Sequence, residues 1–191
     1  MRNTHSWLAS SACAALLWLI AAVPATSHAQ TRSVGSSIQI PSQIPQTQAT
    51  PQLSGNTLDK KPFQLAAMRG KVVLLMFWST DCPVCREQMA ELRENVQGWA
   101  NKPFELVLVS VDKNMSDVDN YNAILNASVP VKQRFTQLWA GETGFKDNLG
   151  TSQLPKNQLP ATLLIDKTGK LVERYNGRIP PQAWDAIADL L

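Results

Sequence analysis

Two cysteines stand two residues apart in Cys82-Pro83-Val84-Cys85. Thiols so placed can close a disulfide, attack one, or hold a soft metal ion between two thiolates. Seven apolar residues, Val72–Trp78, run just ahead of them, and a helical pattern begins just behind. At a helix start the unpaired N–H groups and the dipole favour an anion, here a Cys82 thiolate. Pro83 is tolerated in that first turn, because its missing N–H would have no partner there. A disulfide at this spacing closes a small ring and adds little chain-entropy stability, so it can open without unfolding the domain. Three readings stay open at this point: a redox pair, a structural disulfide, and a two-thiolate metal carrier.

The other thiol and imidazole groups are Cys13, His5 and His28, all within the first 28 residues. That region reads as a secretory signal over 1–29. Arg2 supplies a positive start, an apolar stretch runs from about Ala12 to Val23, and Pro24 breaks it. Ser27-His28-Ala29 places small residues before a cleavage point at Gln30. The stretch is short for a membrane span, which needs about 20 residues. An uncleaved membrane anchor is the alternative. Cys13 sits at the front of the stretch and reads as an ordinary leader residue. Once the leader is removed, the chain keeps two cysteines and no histidine. That excludes a Ser-His-Asp triad, a Cys-His protease and a His-ligated metal site. No cofactor is expected beyond the Cys82–Cys85 disulfide itself, and no resident metal. The expected destination is an oxidising compartment, the periplasm. The net charge is +3, and no block of like charge occurs, which argues against a nucleic-acid partner.

Residues 30–52 are rich in Gln, Ser, Thr and Pro and read as a flexible tether, with an edge strand near Ile38–Ile40 as the alternative. The folded domain is expected over 53–191. Pro62–Leu65 reads as a short edge strand, and Val72–Trp78 as a strand buried on both faces. A helix is expected from Pro83 to about Trp99, with Met89, Leu92, Val96 and Trp99 forming one apolar stripe. Phe104–Val111 reads as a second buried strand and Ser116–Ala127 as a helix. Within 128–158 the pattern is weak, and Val131–Trp139 fits helix or strand. Ala161–Asp166 and Leu171–Tyr175 form a hairpin about Lys167–Lys170, and Pro180–Leu191 closes the chain as a helix. This order implies an α/β fold, a mixed sheet with helices on both faces. Leu159-Pro160 directly precedes a strand, a place where a cis proline occurs, although a trans proline can also start a strand.

Taken together, Arg69-Gly70-Lys71, Val72–Trp78, Ser79-Thr80-Asp81, Cys82-Pro83-Val84-Cys85-Arg86, Leu159–Asp166, Lys167–Lys170 and Gly177 resemble the thioredoxin-fold proteins of the TlpA/ResA type. These are secreted bacterial thiol–disulfide oxidoreductases, and the resemblance covers Leu53 to Leu191. It implies that Cys82 is the exposed nucleophile and that Cys85 resolves the mixed disulfide. It implies a cis Pro160 facing the cysteines, with the Leu159 backbone left to bind an extended substrate, and Trp78 packed beneath. It also implies protein thiols or disulfides as partners, with a membrane electron donor or acceptor. Three positions depart from the family pattern. Asp81 stands where Trp is common, and its carboxylate should oppose ionisation of Cys82. Met76 stands where thioredoxin has a buried acid, and Gln88 where many relatives carry Glu. Glu87 and Asp81 are then candidate proton acceptors for Cys85, as is water.

The expected function is therefore periplasmic exchange of a dithiol/disulfide with protein cysteines, leaning toward the reductant. A copper carrier using both thiolates without turnover is one alternative. Peroxide reduction on a related fold is another. It fits poorly, because Leu75 and Ser79 stand where peroxiredoxins place Pro and Thr.

Overall fold

The computed structural model describes residues 50–150 and 154–191. The expected leader, most of the expected tether and the Ile38–Ile40 segment lie outside the described residues.

Strand β3 (Val72–Trp78) is buried at every residue and is paired along both edges. It runs parallel to β4 (Phe104–Ser110), with Val72 beside Phe104 and Trp78 beside Ser110. It runs antiparallel to β7 (Ala161–Ile165), with Phe77 beside Ala161 and Val73 beside Ile165. β5 (Thr136–Trp139) adds parallel to β4, and β8 (Leu171–Asn176) adds antiparallel to β7. The result is a five-stranded mixed sheet in the order β5-β4-β3-β7-β8.

Helix α1 (Pro83–Gln97) joins β3 to β4, and α2 (Met115–Ser128) leads from β4 toward β5. Both crossovers step in the same direction, so right-handed connections put both helices on one face. The contacts agree. Tyr121 of α2 lies against Trp78 with ring centroids 5.1 Å apart, and its hydroxyl donates to Met89 Sδ of α1 at 3.6 Å. Helix α3 (Gln182–Leu190) sets Trp184 against Trp99, just past α1, at 6.1 Å.

The opposite face carries a small antiparallel sheet, with β1 (Leu53–Asn56) between β2 (Pro62–Gln64) and β6 (Lys146–Asp147), and a one-turn 3-10 helix at Leu65–Met68. Helical cover of the two faces is thus unequal. Leu138 is in register with Val109, hence with Phe77, and points to this second face. A Cβ on Gly55 of β1 would stand 3.1 Å from Phe145 and 3.5 Å from Leu138, so this close approach suits glycine. The weakly patterned region resolves as a 3-10 turn at Val131–Gln133 followed by β5 and β6. These strands are two to four residues long, too short for periodicity to declare them. Among the described residues, no helix is long and apolar enough to cross a membrane.

The core therefore centres on β3. Leu75 is fully buried in the middle of it. Replacing Leu75 with Ala should lower the unfolding free energy by about 2–5 kcal/mol, read from urea denaturation with an unchanged slope.

Candidate functional site

Parallel β3 and β4 end at the same edge of the sheet, and the chain turns there into α1. Cys82 is the N-cap of α1, and its Sγ accepts from the Cys85 N–H at 3.1 Å. Pro83 occupies the first turn, as the sequence requires. Cys82 and Cys85 are joined by a disulfide with Cα atoms 5.3 Å apart. Cys82 keeps 8% exposure and Cys85 none, while Val84 between them is 40% exposed. Cys82 is thus itself largely covered, not the exposed residue that the resemblance implies, and Cys85 lies wholly beneath the surface.

The antiparallel register continues from Phe77–Ala161 and brings Pro160 level with Trp78, at the edge where the cysteine loop begins. The Leu159–Pro160 peptide bond is cis, and both residues are buried. The Pro160 carbonyl accepts from Gly177 N–H at 2.7 Å, and the Leu159 N–H donates to Lys156 O at 3.2 Å. Trp78 is fully buried below the loop.

Asp81 is half-exposed and ion-paired with Lys156, which belongs to the 3-10 turn Lys156–Gln158 ahead of Pro160. Ser79 Oγ also donates to Asp81 Oδ1 at 2.6 Å. The Lys156 ammonium first, and the Ser79 hydroxyl second, hold the Asp81 carboxyl below its ordinary value. Asp81 in turn raises Lys156. The acid therefore stays ionised through the neutral range and loses its charge only as pH falls through the lowered value. Its partner offsets the negative charge that the sequence alone sets beside Cys82.

The other candidate acid goes elsewhere. Glu87 is exposed on α1, 3.8 Å from Arg178, whose other nitrogen pairs with Glu91 at 3.0 Å. Cys85 is fully buried and two residues away, a rotation of about 200° on a helix, so Glu87 faces away from it. Gln88, in contrast, is fully buried on the stripe that carries Cys85. Among the described residues, no group of three or more His, Cys, Asp or Glu is placed to hold a metal ion.

Sequence reasoning missed Asp112. It follows β4 and is only 6% exposed. Its carboxylate accepts from Thr80 N–H at 3.0 Å, Thr80 Oγ1 at 2.7 Å and Ser110 Oγ at 2.7 Å. Its carbonyl accepts from Trp139 Nε1 at 2.7 Å. From the other side, Arg86 Nη1 donates to Thr80 O at 2.6 Å. Thr80 is thus clamped two residues before Cys82. The available signal was Ser110-Val111-Asp112, polar residues closing an apolar strand at the sheet edge that also ends β3.

Two outcomes follow from this arrangement. Asp112→Ala strands the Thr80 donors and should cost about 1–3 kcal/mol in urea unfolding, with slower thiol exchange. Lys156→Ala leaves Asp81 uncompensated and should raise the Cys82 thiol pKa, whereas Asp81→Asn should lower it. Thiolate ultraviolet absorbance against pH in the reduced protein reads both shifts.

The sequence profile of the AhpC/TSA family matches residues 46–183. A thiol-disulfide oxidoreductase ResA of Bacillus cereus is 31% identical over 120 residues, 63% of this chain and 63% of that protein. ResA of Bacillus subtilis is 25% identical over 117 residues, 61% of this chain and 59% of that protein. The matched stretch spans less than two thirds of those relatives. A thiol:disulfide interchange protein of the thioredoxin family from Chlorobium tepidum TLS superposes with a TM-score of 0.56 at 23% identity, over 73% of this chain and 92% of that one. StoA from Bacillus subtilis gives 0.51 at 14% identity, over 71% and 96%. At such identities the solved structures establish the fold, which is thioredoxin-like. With the profile spanning most of the chain and the disulfide capping α1, the chain belongs to the AhpC/TSA family of thioredoxin-like proteins.

Proposed function

We propose that the protein is a thiol–disulfide oxidoreductase in which Cys82 and Cys85 exchange with cysteines of partner proteins. The observation that carries this is the disulfide capping α1, with Cys82 slightly exposed and Cys85 fully buried. In the reducing direction, the Cys82 thiolate attacks a partner disulfide and releases one partner thiolate, giving a mixed disulfide. The Cys85 thiolate then attacks Cys82 Sγ, expels the second partner thiolate and restores the Cys82–Cys85 bond. Run backwards, the same steps oxidise a partner dithiol.

Several features of the chain support each part. Cys85 N–H already points at Cys82 Sγ and stabilises charge there. Val84 offers an exposed apolar contact beside the sulfur. The Leu159 N–H is engaged with Lys156, so the Leu159 carbonyl is the group a partner's extended backbone would meet. The leader pattern over 1–29 supports an extracytoplasmic, periplasmic site of action, with 30–52 as tether to the domain at 53–191. A reducing role is favoured by the resemblance to the ResA-type proteins, and it requires an electron supply from the membrane. The proton acceptor for Cys85 is not Glu87 in this reading, because that side chain faces solvent and Arg178.

Two cysteine variants test the reading. Cys82→Ser should abolish exchange with a protein disulfide. Cys85→Ser should accumulate a mixed disulfide through Cys82, visible on a non-reducing gel and by mass spectrometry. Full exchange activity in Cys82→Ser would sink it. Tight stoichiometric Cu(I) binding with negligible exchange would support the metal-carrier alternative instead.

A further inference from the structure

Gln88 is fully buried, yet its Oε1 and Nε2 both lack a hydrogen-bond partner among the described residues. A stranded buried amide is costly, and native folds leave few. Its surroundings give the amide a use. The buried stripe of α1 is Cys85, Gln88, Met89 and Leu92. Cys85 and Gln88 are three residues apart, so they are neighbours on the helix surface. Helical side chains lean back toward the N-terminus and cover the preceding turn. For Gln88, that turn carries Cys85.

In the facing layer, further buried polar atoms lack partners among the described residues. Trp78 Nε1 and Thr162 Oγ1 are buried and likewise unpaired. Thr162 is in register with Met76, on the same face of the sheet as Trp78, and Tyr121 links Trp78 to Met89 of α1. The layer beneath the disulfide therefore carries several unpaired polar atoms.

We propose that Gln88 is a positioning residue that favours the reduced form of the pair, by offering Cys85 a hydrogen-bond acceptor that only a thiol can use. This rests on the exchange reading above. In the disulfide, Cys85 Sγ carries no proton and gives Gln88 Oε1 nothing to accept. Reduction by two donor thiols breaks the Cys82–Cys85 bond, joins the two donor sulfurs in a disulfide, and leaves both cysteines as S–H. Cys85 S–H then donates to Gln88 Oε1. Gln88 Oε1 is stranded in the disulfide and paired in the dithiol, while Nε2 is unchanged, so the free energy of the Oε1 bond enters the redox equilibrium directly.

The test uses the full chain with Cys13→Ser, which leaves only the Cys82–Cys85 pair. In glutathione buffers, Gln88→Met should shift the equilibrium about 3- to 10-fold toward the disulfide, tenfold corresponding to about 30 mV. In urea, the oxidised variant should be at least as stable as its parent and the reduced variant less stable. Gln88→Leu should behave the same way. A role in packing alone would change both forms equally, and an unmoved glutathione equilibrium overturns the proposal. A second measurement leaves Gln88 in place. With Cys82→Ala added, Cys85 is the sole thiol, and its infrared S–H stretch should lie at the hydrogen-bonded position. A free-thiol band overturns the proposal. If the parent pair fails to equilibrate with glutathione at all, the exchange reading falls together with this one. If it equilibrates but ignores Gln88→Met, only this inference falls.

Discussion

The rest of the structure depends on the pairing of β3 along both edges while both its faces are covered. Its register with β4 and β7 leaves it no freedom to slide, because a one-residue slip would turn Leu74, Met76 and Trp78 to the wrong face. The place where β3 ends is therefore fixed, and so is the start of α1. The reactive sulfur sits four residues past a rigid strand end. Asp112 and Arg86 then fix those few residues by their hold on Thr80.

That arrangement separates rigidity from reactivity. The core below Cys82 is densely packed, and the redox bond closes a ring too small to matter to its stability. Charge around the site is arranged as local pairs, Asp81 with Lys156 and Glu87 and Glu91 with Arg178. Beneath Cys85, unpaired buried polar atoms belong to Trp78, Gln88 and Thr162. The Asp112 carboxylate stands outside these pairs, buried and held by the Thr80 and Ser110 donors.

Much of this was legible in the sequence, for identifiable reasons. Val72–Trp78, Phe104–Ser110 and the hairpin about Lys167–Lys170 announce themselves by apolar runs and turn residues, and the observed bounds agree within a residue. Cys82-Pro83-Val84-Cys85 announces its place at a helix start. The small sheet was not legible as a sheet, because β1 and β6 pair across almost a hundred residues and each is too short to show a period. Asp112 escaped because its importance lies in which loop it reaches, and only the parallel register of β3 and β4 decides that. Asp81 was legible as a charge but not as a pair, since Lys156 is 75 residues away in the chain.

The N-cap of α1 has one consequence for the reaction cycle. Helix caps are ordinarily spectators, hydroxyls or carboxylates that never change state. Here the capping acceptor is the atom that, in the proposed exchange, makes and breaks covalent bonds. The Cys85 N–H that satisfies the helix end is thus already aimed where negative charge develops on Cys82. No donor has to rotate into place as the sulfur passes from disulfide to thiolate, so the solvent-like reorganisation that slows thiolate chemistry in water is built into the backbone beforehand.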